Sequence, residues 1–130
     1  MVFNIHPRPA GRLRRRPERE RIALLQGALD LLILRTLVLA PQHGQGIARA
    51  IQQTSEDVLI VDHGALYPAL QRLEEKGWIG ARWGTSTNNR RARFYSLTAR
   101  GRRQLVHETS QWRRLAAAIG RVLGPETQEG

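Results

Sequence analysis

The 130-residue chain contains no cysteine, which removes disulfides, thiolate metal ligands and thiol nucleophiles from consideration. That composition suits a reducing compartment, and a cytoplasmic location is expected. Lysine is scarce as well: Lys76 is the only one, so nearly all 21 basic side chains are arginine. The apolar run that a membrane span needs is missing. The greasiest stretch, Leu24 to Leu39, is shorter than the roughly 20 residues required, and Asp30 and Arg35 interrupt it. There is no HExxH, phosphate loop or nucleophile elbow. His43 with His63 or His107, plus Asp57 and Asp62, could be imagined as a metal site or acid–base pair, but their spacing fits no ligand motif. No enzyme activity, metal or cofactor is expected.

Arginine and helix-forming patterns dominate what is present. The net charge is +10 and the pI about 11.6, which makes a polyanion the first partner to consider. Arginine offers planar, bidentate contacts to phosphates and guanine edges, although a GC-rich genome would enrich it equally. Residues 1–21 hold seven arginines against two glutamates, with Pro7, Pro9, Gly11 and Pro17 among them. Few apolar side chains and clustered charge predict a disordered basic arm there. The tail 125–130 is expected to be disordered too.

Between these ends the chain reads as one domain, 22–98, followed by a long helix, 99–124. A first helix is predicted from Leu24 to Ala40, ended by Pro41, with apolar residues on more than one face. That breadth in so small a domain suggests a partner subunit, contacted through Leu29 and Leu32. A second helix runs from Gly44 to Thr54, with Ile47, Ala50 and Ile51 turned inward. Val58 to Val61 is a short extended run.

The third helix begins near Asp62 to Ala65, with its ordered part expected just before Pro68. Leu66, Ala69, Leu70 and Leu73 recur at the spacing of a core face, leaving Ala65, Tyr67, Pro68, Gln71, Arg72 and Glu75 outside. Gly77 suits a left-handed stop. Trp78 to Trp83 and Arg91 to Leu97 alternate as the two strands of a hairpin. Its tip carries Asn88, Asn89, Arg90 and Arg91, with Arg93 sharing a face with Arg91. Thr98 is a good N-cap for the last helix. There Leu105, Thr109, Trp112, Ala116, Ile119 and Leu123 are spaced 4, 3, 4, 3, 4, a heptad seam for packing against another helix.

A short helix able to enter a groove, followed by a basic hairpin able to grip a backbone, is the arrangement of a mainly α, winged helix-turn-helix DNA-binding domain. The residues also resemble the PadR family of transcriptional regulators. The matching segments are Gly27–Leu34, His43–Ala48, Gly64–Glu74, Gly77–Ile79 and Asn89–Thr98. The resemblance implies a winged-helix repressor with a C-terminal dimerisation helix, binding double-stranded DNA at a near-palindromic promoter site as a homodimer. A winged helix used only for protein or RNA contacts is the alternative.

On that resemblance the DNA-facing residues are Gln45, His63, Gly64, Ala65, Tyr67, Pro68, Gln71, Arg72, Asn88, Asn89, Arg90, Arg91 and Arg93. Gln71 would pair with adenine and Arg72 with guanine or a phosphate. The wing arginines, with no acid nearby in the sequence, would take phosphates. Glu74 and Glu75 would point away from the duplex. Family members often release DNA when a small-molecule effector or stress signal alters the dimer. Trp112 on the seam would either face such a ligand or, the preferred reading, serve as an interface aromatic. Two positions depart from the family pattern: Ala65 stands where many relatives have serine or threonine, and Gln45 where an aromatic is common.

Overall fold

A computed structural model describes residues 22–23 and 26–126. The expectations for the arm 1–21, for Leu24 and Leu25, and for the tail beyond residue 126 lie outside these residues. The elements in order are β1 (Ile22–Ala23), α1 (Gln26–Thr36), β2 (Gln42–His43), α2 (Gly44–Thr54), β3 (Leu59–Ile60), α3 (His63–Glu75), β4 (Ile79–Thr85), β5 (Arg91–Leu97) and α4 (Ala99–Leu123). β1 pairs in parallel with β3, and β2, β5 and β4 form an antiparallel sheet in that order.

α1 is the centre of the fold and packs against α2, α3 and α4. Its apolar residues on several faces therefore have partners within the same chain. Leu29, Ile33, Leu34 and Leu37 are buried, and Leu31, Leu32 and Val38 pack half-covered around them. This corrects the expectation for Leu29: at 2% exposure it belongs to the protomer's own core and has no surface left for a partner. Leu32 keeps part of its surface. The helix also stops at Thr36, well before Pro41. Leu37 and Val38 already bond to carbonyls three residues back, tightening the last turn until it ends.

The α3 core face is as the spacing predicts, with Leu66, Ala69, Leu70 and Leu73 all buried. The helix starts at His63, within the expected Asp62 to Ala65 range, because the Asp62 side chain accepts from the Gly64 N–H and caps it; its ordered part therefore begins well before Pro68. Pro68 thus sits inside the helix. It forfeits one backbone bond, and the burial of the four apolar side chains around it offsets that loss. Gly77 has φ +76°, donating to the Glu74 carbonyl while Trp78 donates to that of Leu73. This pair of bonds closes the helix end and aims the chain directly into β4.

The hairpin strands are each seven residues long, and Tyr95 lies opposite Ala81, Phe94 opposite Arg82 and Arg93 opposite Trp83. β4 starts one residue after Trp78, whose amide is committed to the α3 cap, and extends through Gly84 and Thr85, which the sequence reading left in the loop. At the tip, Asn89 adopts φ +61°, a conformation that asparagine tolerates better than most residues.

Candidate nucleic-acid interface

The outward row of α3 is open to solvent. His63, Gly64, Ala65, Tyr67, Pro68 and Gln71 are all exposed, as is Gln45 in the first turn of α2. Tyr67 is 46% exposed, and its ring lies across the start of α2. A Cβ added at Gly44 would come within 2.8 Å of the Tyr67 hydroxyl, so the glycine is what permits this approach. The His63 ring meets the Tyr67 ring edge to face at 6.0 Å. Tyr67 therefore has a fixed position between the two helices and still presents a free edge.

The α2 N-terminus is held by a device that the sequence reading missed. The His43 Nδ1 accepts from the Gly46 N–H at 2.9 Å, acting as the N-cap. This fixes the neutral-ring tautomer with its proton on Nε2. His43 and Asp62 are thus both occupied as helix caps. Among the described residues no group of three or more His, Asp or Glu side chains is placed to hold a metal ion.

Two arginines are placed differently from expectation. Arg72 does not extend outward from α3: its guanidinium bonds to the Asp30 carboxylate of α1 at 2.9 Å, in a half-buried setting. Base or phosphate readout by Arg72 would require breaking that pair. This partner lies 42 residues away in sequence, although Glu74 and Glu75 stand close to Arg72 on the same helix. Arg93 likewise has an acid beside it, bonding to Glu74 at 3.1 Å. The closed turn at Gly77 places the end of α3 against the hairpin, so Glu74 braces the wing. The pair is solvent-accessible and contributes little stability by itself. Asn88, Asn89, Arg90 and Arg91 remain exposed at the wing tip.

Burial raises the Asp30 pKa, with Arg72 opposing the shift. A folded-state value raised above the unfolded one means a stabilising contribution that is complete below about 3.8 and is lost as pH rises through the folded value. Wild type minus Asp30→Asn stability, measured by denaturant melts across acidic pH, should therefore fall as pH rises through this range. A difference that stays constant with pH would show that Asp30 is not perturbed in this way.

The last helix is seated through its first turns only. Leu105 is 8% exposed and belongs to the protomer core, so the proposed seam's first member is an intramolecular contact, because this end of α4 lies on α1. Thr109 is half-buried. Beyond it Trp112, Ala116, Ile119 and Leu123 are open, and so are Leu115 and Val122, which the heptad reading had not included. Together they form an apolar stripe broader than a strict seam. Among the described residues no helix is long and apolar enough to cross a membrane.

The comparisons with known proteins agree with this geometry. A transcriptional regulator from Clostridium thermocellum superposes with a TM-score of 0.70 at 24% identity, covering 76% of this chain and 96% of that one, a likeness of fold. A PadR family transcription regulator from Clostridium difficile is 28% identical with a TM-score of 0.64, covering 74% of this chain and 98% of its own. An uncharacterised protein from Lysinibacillus sphaericus is 27% identical over 89 residues, 68% of this chain and 82% of that protein. The "Transcriptional regulator PadR-like family" model matches residues 33–107, from the last turn of α1 into α4 and across the α2, α3 and wing segments. With more than half its length covered by that match, the chain belongs to the PadR-like family of DNA-binding transcriptional regulators.

Proposed function

We propose that this regulator is a repressor that acts as a homodimer on a near-palindromic duplex site. The supporting observation is the division of α3, whose apolar row is sealed in the core while His63, Ala65, Tyr67, Pro68 and Gln71 face outward beside a basic wing. A helix of 13 residues is about 20 Å long, a length that suits a major groove. Asn88, Asn89, Arg90 and Arg91 then take the adjoining backbone, and Gln71 reads base edges. Arg72 contributes by holding α3 to α1, and Arg93 by joining the wing to α3.

The apolar stripe on α4 supplies the joint between two copies, with Leu32 of α1 as a secondary contact and Trp112 as a packing residue. A two-fold pair presents two recognition helices to major grooves about 34–36 Å apart, and occupancy of a promoter excludes polymerase.

The test is titration of duplex DNA against salt, with single-stranded DNA and RNA as competitors. Binding should weaken steeply, each phosphate contact contributing about 0.9 to the slope of log K against log salt. Arg90→Ala should lower that slope by about one contact and reduce affinity for all duplex sequences alike. Gln71→Ala should instead change which sequence is preferred. A flat salt response removes the phosphate contacts, and equal competition by RNA favours the alternative use of the fold.

A further inference from the structure

One face of the wing runs from core to tip through the opposed pairs Ile79 and Leu97, Ala81 and Tyr95, Trp83 and Arg93, then Thr85 and Arg91. It is buried at the base and opens at Trp83, which is 56% exposed. Two arginines flank that indole, and they are used differently. Arg93, directly opposite, reaches back to Glu74 on α3 and lies 6.0 Å from the Tyr95 ring. Arg91, the diagonal neighbour, places its guanidinium over the Trp83 ring with the central carbon 4.8 Å from the centroid. No carboxylate pairs with Arg91 among the described residues.

We infer that Trp83 is a positioning residue for DNA binding: its ring holds the Arg91 guanidinium in one orientation on the wing face next to α3. The inference rests on the DNA-binding role proposed for the wing. The cation–π contact draws on the charge of the guanidinium, and no carboxylate engages its N–H groups among the described residues, so they stay available for phosphate or base edges. An unsupported arginine on a hairpin tip must be ordered when it binds, and one already held against a ring loses less freedom. The Glu74–Arg93 pair fixes the same face of the hairpin against the recognition helix. Arg91 therefore has a defined place relative to Tyr67 and Gln71 before DNA arrives.

The experiment is a set of anisotropy titrations of a labelled mixed-sequence duplex with wild type, Trp83→Ala, Trp83→Phe, Arg91→Ala and the Trp83→Ala/Arg91→Ala pair. Trp83→Ala should weaken binding about two- to fivefold, the range of an exposed cation–π contact. Trp83→Phe should restore most of that loss. In the Arg91→Ala background, removing Trp83 should cost nothing further. An equal loss with or without Arg91 would mean that the indole only supports the hairpin, and no loss in either background would mean that it does nothing for binding. Either outcome overturns the positioning role while leaving the DNA-binding role standing if wild-type binding is steeply salt-dependent. Salt-independent wild-type binding overturns both.

Discussion

Replacing Gly101 with alanine should destabilise the domain by about 3 kcal/mol or more, a drop of roughly 10–20 °C in melting temperature. The cause is a backbone contact that cannot relax. A Cβ at Gly101 would lie 2.0 Å from the Trp78 carbonyl oxygen and 2.8 Å from a Leu97 methyl. That carbonyl is fixed on every side. The Thr98 amide donates to it at 3.1 Å, and the Thr98 hydroxyl lies 3.0 Å from it and 2.7 Å from the Gly77 carbonyl. The same hydroxyl accepts from the Gly101 N–H at 2.9 Å, capping α4. Pushing α4 away would disturb its own cap, the end of α3 and the base of the wing together. Gly120 on the same helix is the control, since nothing lies within 4 Å of a Cβ there. Gly120→Ala should gain about 0.5–1 kcal/mol from helix propensity. A loss at Gly120 would instead place that position in a contact between copies. Comparable melting temperatures for Gly101→Ala and wild type would show that the close approach at Trp78 is not a constraint.

The contrast between these two glycines illustrates what could be read from the sequence. Local rules were enough for the α3 core face, the stop at Gly77, the second strand of the wing and the Thr98 cap, because each depends on residues within one or two turns of one another. They were also enough for the exposed row containing Tyr67 and Gln71, which is simply the complement of the buried one. Contacts between distant segments were not accessible. Arg72 looked available because its partner Asp30 lies on another helix, and Arg93 looked unopposed because the turn that brings Glu74 to it appears only in three dimensions. α1 was broad in its apolar character for the same reason: three helices of its own chain cover it, so Leu29 required no partner subunit. Trp83 could have been noticed, since counting by twos from the tip puts it on the face of Arg91 and Arg93. Doing so needed the hairpin register, and Ser86 to Arg90 allow more than one.

The second large effect concerns α4. If the proposed dimer forms through this helix, wild type should sediment as a dimer at micromolar concentration and Trp112→Glu combined with Ile119→Glu as a monomer, with the melting behaviour of the helix–wing domain kept. It should also reduce affinity for a two-half-site duplex by about 10²–10⁴-fold, the advantage of linking two binding modules. Both side chains are about half-exposed in the protomer, at 48% and 49%, so neither supports the core. The part of α4 beyond Thr109 gains little from its own chain, and a solvated helical segment of that length is marginal by itself. Its stripe of Trp112, Leu115, Ile119, Val122 and Leu123 is the contiguous apolar surface that normally marks an interaction site. In the proposed dimer two such stripes would face each other, burying the residues that one chain leaves open and setting the separation of the recognition helices. Carboxylates introduced on both would be desolvated opposite each other, at a cost far above that of truncation to alanine. A double variant that remains dimeric would assign the stripe some other role. One that becomes monomeric yet binds the paired site unchanged would show that each protomer binds DNA independently.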